Sequence, residues 1–450
     1  MNAKGEWTHE TAFLDAVQER TFRYFWDLAD LQTRLTPDRW PTPSFASISA
    51  TGFGLTAYPI GVEHGWISRE AACRRVLDTL RFAWMAPQDS TPAATGYHGF
   101  FYHFLDPKTG RRFQDVELST MDTALFLAGV LFCQSYFDRP VAEEDSVRAL
   151  ADSLYTRADW QWCSPRPPAV GHGWTPEEKF LPWDWGGYNE AMILYILALG
   201  SPTHPAPPEA WAAWTKGYQW GSFYGQEHVG FAPIFGHQYT QVWIDLRGIQ
   251  DDVMRAHGID YFENSRRAVL AQQAYAIENP GRWSGYGSRL WGMSACDGPV
   301  DGTFGVEGVR REFHSYWARG ASFNRVSDDG TLSPSAVAGS IVFAPEIVIP
   351  TLVSMRDAYG ERIWSTYGFL DAMNPTCKPP VPVQFGKVDS TLGWFDTDYL
   401  GIDQGPILAM IENARTGLVW RTMQRNPHVV RGLRRAGFTG GWLDGVAGKP

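Results

Sequence analysis

The chain has 450 residues, with 39 Lys+Arg against 49 Asp+Glu and a net charge of −10. A composition 44% hydrophobic and 20% charged excludes a disordered chain. An acidic balance without a basic cluster excludes nucleic acid as the main partner, because phosphate binding needs Lys and Arg.

No apolar run reaches the roughly 18 residues of a membrane span. The N-terminal stretch MNAKGEWTHETAFLDAV has no apolar core of an export signal, so the expectation is a cytoplasmic chain, or a periplasmic one if a signal has been trimmed. The five cysteines, at 73, 133, 163, 296 and 377, are too far apart for a Cys-x-x-Cys motif and are read as buried thiols.

In chain order, apolar residues near helical spacing predict a helix over 10–30. Residues 51–64 form a Gly-rich apolar stretch, TGFGLTAYPIGVEH. Ser68 caps a predicted helix to about Met85, with Glu70 in its first turn. GFFYHFLDPKTGRRFQD reads as a hairpin around Pro-Lys-Thr-Gly. Ser119-x-x-Asp122 opens a helix over 119–137 as a capping box. Further helices are predicted over 142–157, 188–199, 207–218, 241–257, 260–278, 345–359, 361–372, 404–424 and 427–436. The Gly-rich stretch 280–344 lacks helical periodicity and is expected to be functional or to carry small strands.

The helices starting near 122, 188 and 404 are apolar nearly all round, hence buried on all sides, whereas 68–85, 142–157 and 260–278 are amphipathic. That alternation suggests an all-α double ring of about twelve helices, an (α/α)6 toroid, over one domain spanning 1–450; an irregular helical bundle or a solenoid is the alternative, and no fixed-period repeat supports the solenoid. Each buried helix opens with acidic or amide groups: Glu117 and Asp122; Asp184, Asn189 and Glu190; Asp396, Asp398, Asp403 and Gln404. Any one of these is ordinarily a cap, but the set is flanked by aromatic and Gly-rich loops.

WDWGGYNEAM at 183–192 crowds two Trp, two Gly, a Tyr, an amide and two carboxylates together. The chain holds 21 Trp, 26 Phe and 18 Tyr. Aromatic faces suit the C–H faces of sugars, and paired carboxylates beside them suit glycosidic cleavage. Phosphate-binding, zinc-protease, serine-hydrolase and dinucleotide motifs are absent from the sequence, and no metal site or cofactor is expected. Asp251-Asp252 and Asp328-Asp329 are read as solvated pairs.

The stretches TGFGLTAYPIGVEHGWI, GYHGFFYHFLDPKTGRR, ELSTMDTALFLAGVL, LPWDWGGYNEAMILYILALGSPTHP, FYGQEHVGFAPIFGHQY, GIDYFENSRRA, WGMSACDG and DTDYLGIDQGPILAMIEN span nearly the whole chain. With them the sequence resembles the bacterial glycoamylase-like proteins and, among these, glycoside hydrolase family 144, the β-1,2-glucanases. The resemblance implies an (α/α)6 barrel, no cofactor, and hydrolysis of β-1,2-glucan to sophorose-type products with inversion, in endo or exo mode. On this reading Glu190 is the general acid. Asp122 is the favoured base, with Asp403 second. Glu117, Asp184 and Asp398 hold sugar hydroxyls or support the site. Tyr102, His103, Trp183, Tyr188, Gln226, Glu227, His228, Trp291 and Tyr399 are the expected subsite contacts. A non-catalytic glucan-binding protein and a polysaccharide lyase are the competing readings. The lyase would need a basic cluster that the motifs lack.

Overall fold

The computed structural model describes residues 11–446. Four helices that read as apolar or Gly-rich are enclosed almost completely: α2 (Ile48–Glu63), α4 (Thr120–Tyr136), α6 (Met192–Gly200) and α13 (Gly401–Arg415). The numbering follows the chain, with α1 (Thr11–Leu28), α3 (Arg69–Met85), α5 (Ala142–Arg157), α7 (Ala210–Thr215), α8 (Phe235–Trp243), α9 (Asp252–His257), α10 (Tyr261–Glu278), α11 (Pro334–Ala338), α12 (Pro345–Tyr359), α14 (Leu418–Met423), α15 (Pro427–Arg435) and α16 (Gly441–Asp444).

The enclosed helices pack on one another: α2 on α4, α4 on α6, α6 on α8, and α13 on α8, α11 and α2. Amphipathic helices cover them. α1 lies on α2 and α13, α3 and α5 on α2 and α4, α15 on α6, α10 on α8 and α12 on α11. Among the described residues no helix is long and apolar enough to cross a membrane.

The expected helices over 10–30, 68–85, 119–137, 142–157, 260–278, 345–359 and 427–436 are present, with ends shifted by a residue or two. α6 starts at Met192 rather than 188, and α7 covers only part of 207–218. The Gly-rich stretch 51–64 is a helix, α2, despite three glycines and Pro59 in its interior. Packing overrides propensity here. A Cβ on Gly52 would stand 2.5 Å from the Leu125 carbonyl oxygen, and one on Gly129 2.1 Å from the Gly52 oxygen. The two glycines therefore let α2 and α4 touch backbone to backbone.

The predicted helix 241–257 is split into α8, an extended link and α9, with Asp251 as the new N-cap, accepting from the Met254 N–H. Residues 361–372 are not a helix but a 3₁₀ turn at Gly360–Arg362 and a short ribbon, Trp364–Ser365 with Gly368–Phe369. Residues 404–424 break at Gly417 into α13 and α14.

The chain turns back at Asp106–Gly110 as read, with Leu105 bridging Arg112. Its strands, however, join other partners: Phe100–Tyr102 enters an antiparallel five-stranded sheet with 96–97, 118–119, 173–175 and 179–180, and Phe104–Leu105 pairs with Ala46–Ser47. The stretch 280–344 carries three short ribbons of its own between Ala295 and Ser327.

These small strands fix where the enclosed helices begin. Ala46–Ser47 leads into α2, Leu118–Ser119 into α4, and Tyr399–Leu400 into α13. The last pair is hydrogen-bonded to Arg39–Trp40, and the Gly401 N–H donates to the Asp38 carbonyl at 2.7 Å. The N-terminal ends of α2, α4 and α13 are thus stitched together by backbone bonds.

Candidate active site

The carboxylates gather around these helix starts and the loops beside them. Asp122 is the third residue of α4 and is buried. Its Oδ2 accepts from Ser119 Oγ at 2.5 Å, so the Ser-x-x-Asp box closes side chain to side chain. Ser119 Oγ also accepts from the Asp122 N–H as the N-cap.

His103 stands beside this carboxylate, with Nε2 3.5 Å from Asp122 Oδ2 and Nδ1 2.9 Å from Glu117 Oε1. Burial pulls the imidazole pKa down, but Asp122 and Glu117 outweigh it and hold the ring up at about 9. Burial likewise acts to raise Glu117, and its bond to His103 brings it below its ordinary value.

Glu190 lies two residues before α6. Asn189, not Glu190, accepts the Ala191 N–H there, and α6 has no side-chain cap, so Glu190 is not its N-cap. Glu190 Oε2 is buried without a hydrogen-bond partner. Burial pushes this carboxyl to about 7, and Asp122 adds to the rise.

Asp403, the third residue of α13, accepts from Ser335 Oγ of α11 at 2.9 Å through Oδ1, while Oδ2 is buried and unpaired. Burial pushes it to about 7. Its neighbour Asp371 has its own carboxyl driven well up by burial and then by Asp403.

Asp297, Asp371 and Asp396 form a further buried trio whose oxygens lie within 4.8 Å of one another. Arg39 meets this trio: its Nη1 donates to Asp297 Oδ2 at 2.7 Å and stands 3.7 Å from Asp398 Oδ2. Asp38, buried beside Arg39, is pushed to about 6 by burial, against the pull of Arg39. Tyr239 of α8 lies between the groups. Its phenol is raised by burial and then by Asp403, Tyr316, Glu190 and Asp122.

A cavity of about 550 Å³ opens over Arg39, Asp297, Asp396 and Asp398, with Phe45, Tyr316 and Phe385 on its walls. Tyr316 and Phe385 are exposed, at 54% and 44%. A second cavity of about 440 Å³ shares Asp396 and Thr397 with the first and runs on past Arg362, Lys387 and Asp389. Charged and amide-bearing walls with aromatic faces at the mouth can hold a polyhydroxylated chain.

The predicted residues divide. Glu190, Asp122, Glu117 and His103 come together, and Asp403 and Asp398 lie around Arg39 and Asp371. Asp184 is taken by a two-pronged pair to Arg166, at 2.7 Å from both Nε and Nη2. Trp183 is 61% exposed on a loop.

Most of the other expected contacts are core, Gln226 and Glu227 excepted. Tyr102 and Trp291 are fully buried, Tyr102 under the Arg112 guanidinium and Trp291 donating to Thr351. Tyr188 packs among Trp214, Tyr218, His237 and Tyr261. Tyr399 packs among Tyr24, Trp40 and Tyr367, and its hydroxyl accepts the Tyr367 N–H. Gln226, Glu227 and His228 sit on the ribbon Trp220–Phe223/Gln226–Val229 against α10, and His228 is enclosed. These rings fill volume, so the reading of Tyr102, Tyr188, His228, Trp291 and Tyr399 as sugar contacts gives way to packing.

The reading of the two Asp pairs as solvated holds for Asp252, which is exposed, and is corrected for the rest. Asp251 is buried and accepts from Trp211 Nε1 and the Tyr261 hydroxyl. Asp329 is buried in a fork with Arg319, and Asp328 accepts from Tyr275 and Tyr286. The cysteines are all buried, as read.

Asp38, Arg39, Asp297, Asp371, Tyr239, Tyr316, Ser335 and Phe385 were not singled out from the sequence. A signal existed for some. Arg39 sits in the Pro- and Trp-rich stretch TPDRWPTP just before an enclosed helix, as WDWGGYNE sits before another.

The Glycoamylase family model, described as "Putative glucoamylase", matches residues 182–427. The exo beta-1,2-glucooligosaccharide sophorohydrolase (non-reducing end) of Parabacteroides distasonis is 27% identical over 456 residues, covering 94% of this chain. This chain spans 57% of that relative's length. Two solved structures superpose with TM-scores of 0.81: a Bacteroides uniformis protein with the same glucoamylase description, at 30% identity over 97% of this chain and 100% of that one, and the endo-beta-1,2-glucanase of Chitinophaga pinensis in complex with sophorotriose and glucose, at 28% identity over 96% of this chain and 99% of that one. The family match covers more than half of the chain, and the likeness to the solved structures runs through nearly all of it: this chain belongs to the glycoamylase family.

Proposed function

We propose that the protein is a glycoside hydrolase that cleaves β-1,2-linked glucan to short, sophorose-type products by a single, inverting displacement. The fold behind this reading is one (α/α)6 toroid. The return of α13 onto α2 after the sequence α2, α4, α6, α8 supports it.

The observation that carries the function is Glu190: a buried carboxyl with an unpaired oxygen, held at about 7 beside a second carboxylate, Asp122. A general acid at neutral pH needs a carboxyl that keeps its proton, and its partner needs to be an anion able to take one from water. Glu190 fits the acid. Asp122, faced by the His103 ring, fits the base better than Asp403, whose carboxyl burial holds at about 7. Arg39, Asp297, Asp396 and Asp398 then hold sugar hydroxyls in the cavity, with Tyr316 and Phe385 as stacking faces. The β-1,2-linkage is supported by the relatives, a beta-1,2-glucooligosaccharide sophorohydrolase and an endo-beta-1,2-glucanase.

The test is a panel of β-1,2-, β-1,3-, β-1,4- and α-1,4-glucans with product identification. Reducing oligosaccharides are expected from the β-1,2-glucan. Reducing sugar from starch and none from β-1,2-glucan refutes the substrate, an unsaturated product refutes hydrolysis, and binding without turnover refutes catalysis.

A further inference from the structure

His103 is pinned before any substrate arrives. It stands between the strands Phe100–Tyr102 and Phe104–Leu105, its N–H donates to the Glu117 carbonyl at 2.9 Å, and its own carbonyl accepts from the Ile48 N–H at 3.3 Å. The Phe104 ring stacks on the imidazole at a centroid distance of 3.9 Å. Both ring nitrogens face carboxylates, Nδ1 toward Glu117 and Nε2 toward Asp122. A carboxylate oxygen accepts and does not donate, so only the imidazolium, with an N–H on each nitrogen, satisfies both sides. A neutral ring would turn a lone pair toward one of them. Asp38 is the other acidic group that reaches the ring.

Asp122 has a second charged neighbour, Glu190, whose carboxyl feels Asp122 as a like charge. We infer that His103 is a positioning cation rather than a sugar contact: clamped between Glu117 and Asp122, it orients Asp122 and keeps it an anion opposite Glu190. The chain Glu117–His103–Asp122 thereby sets a positive charge beside the base, while Glu190, without such a partner, keeps its proton. This rests on the assignment of Asp122 and Glu190 as base and acid.

Two measurements test it. The first needs no glucan: ¹⁵N shifts of the His103 ring in the wild-type protein should report N–H on both nitrogens from pH 6 to 8. A ring neutral at pH 7 overturns the inference. The second compares wild type with His103→Gln, which keeps a hydrogen-bonding side chain and loses the charge, and with His103→Ala in the presence of imidazole. His103→Gln should lower kcat by about 10²-fold and move the acid limb of kcat/KM upward by roughly one to two pH units, with KM nearly unchanged. Imidazole should restore part of the His103→Ala loss. A raised KM with an unmoved pH profile makes His103 a sugar contact and overturns the proposal. If wild type turns over no glucan, the proposed function fails, and the ring titration still decides whether the ion pair exists.

Discussion

Replacing Glu190 by Gln changes one proton and little else, and the structure makes turnover and stability move in opposite directions. The amide keeps the shape of the side chain but cannot hand a proton to the departing sugar oxygen. General acid assistance is worth about 10²–10⁴-fold, so turnover of β-1,2-glucan should fall by at least that range. Wild-type kcat/KM should itself decline as pH rises through about 7, where Glu190 loses its proton.

Stability follows from the same carboxyl. Its folded pKa of about 7 lies above the ordinary 4.5. The folded state therefore binds the proton more tightly, and the stability this contributes is complete below the ordinary value and lost as pH rises through about 7. At about 1.36 kcal/mol per pH unit, the loss at pH 8 reaches at most about 3 kcal/mol, with solvent access to the half-buried side chain reducing it.

The amide has no proton to lose. At pH 8 Glu190→Gln should be as stable as wild type or more so, by up to that amount, and at pH 5 the two should converge. Turnover from pH 5 to 9 and urea unfolding at pH 5 and 8 measure both. A variant that turns over near the wild-type rate, or one that is destabilised by about 1 kcal/mol at both pH values as a lost helix cap would be, refutes the reasoning.

Asp122→Asn should match the Glu190→Gln loss, whereas Asp403→Asn should cost much less, because burial already favours the protonated form of Asp403; the reverse order in steady-state kinetics moves the base to Asp403. The fresh product should be the α-anomer, seen by proton NMR in the first minutes; a β-anomer means a retaining pair of carboxyls about 5–5.5 Å apart. A strong chelator should leave turnover intact, since Arg39 already occupies Asp297; loss restored by a divalent ion, followed by kinetics, would place an ion among Asp297, Asp371 and Asp396. Gly52→Ala should destabilise the fold by about 1–3 kcal/mol or more in thermal or urea unfolding, because the new methyl meets the backbone of α4, which cannot rotate away.

The sequence by itself determined most of the helices, the enclosure of α4, α6 and α13, and the candidates Glu190 and Asp122. Each of those is written locally, in apolar periodicity or in polar residues crowded before an apolar run. The helix α2 was hidden because its glycines argue against a helix in isolation, and only α4 lying backbone to backbone against it explains them.

The chemical state of the site was not legible for a similar reason. Arg39, Asp297, Asp371 and Asp396 come from segments up to several hundred residues apart, and nothing local says that they share one charge cluster. Aromatic residues misled in the same way. Trp291 and Tyr399 lie in sequence surroundings much like those of Tyr316, yet the first two fill the core and the last stands at the cavity mouth. Whether a ring packs or faces solvent, and whether a carboxyl keeps its proton or meets an arginine, depends on what the rest of the chain lays against it, and tertiary contact alone decides that.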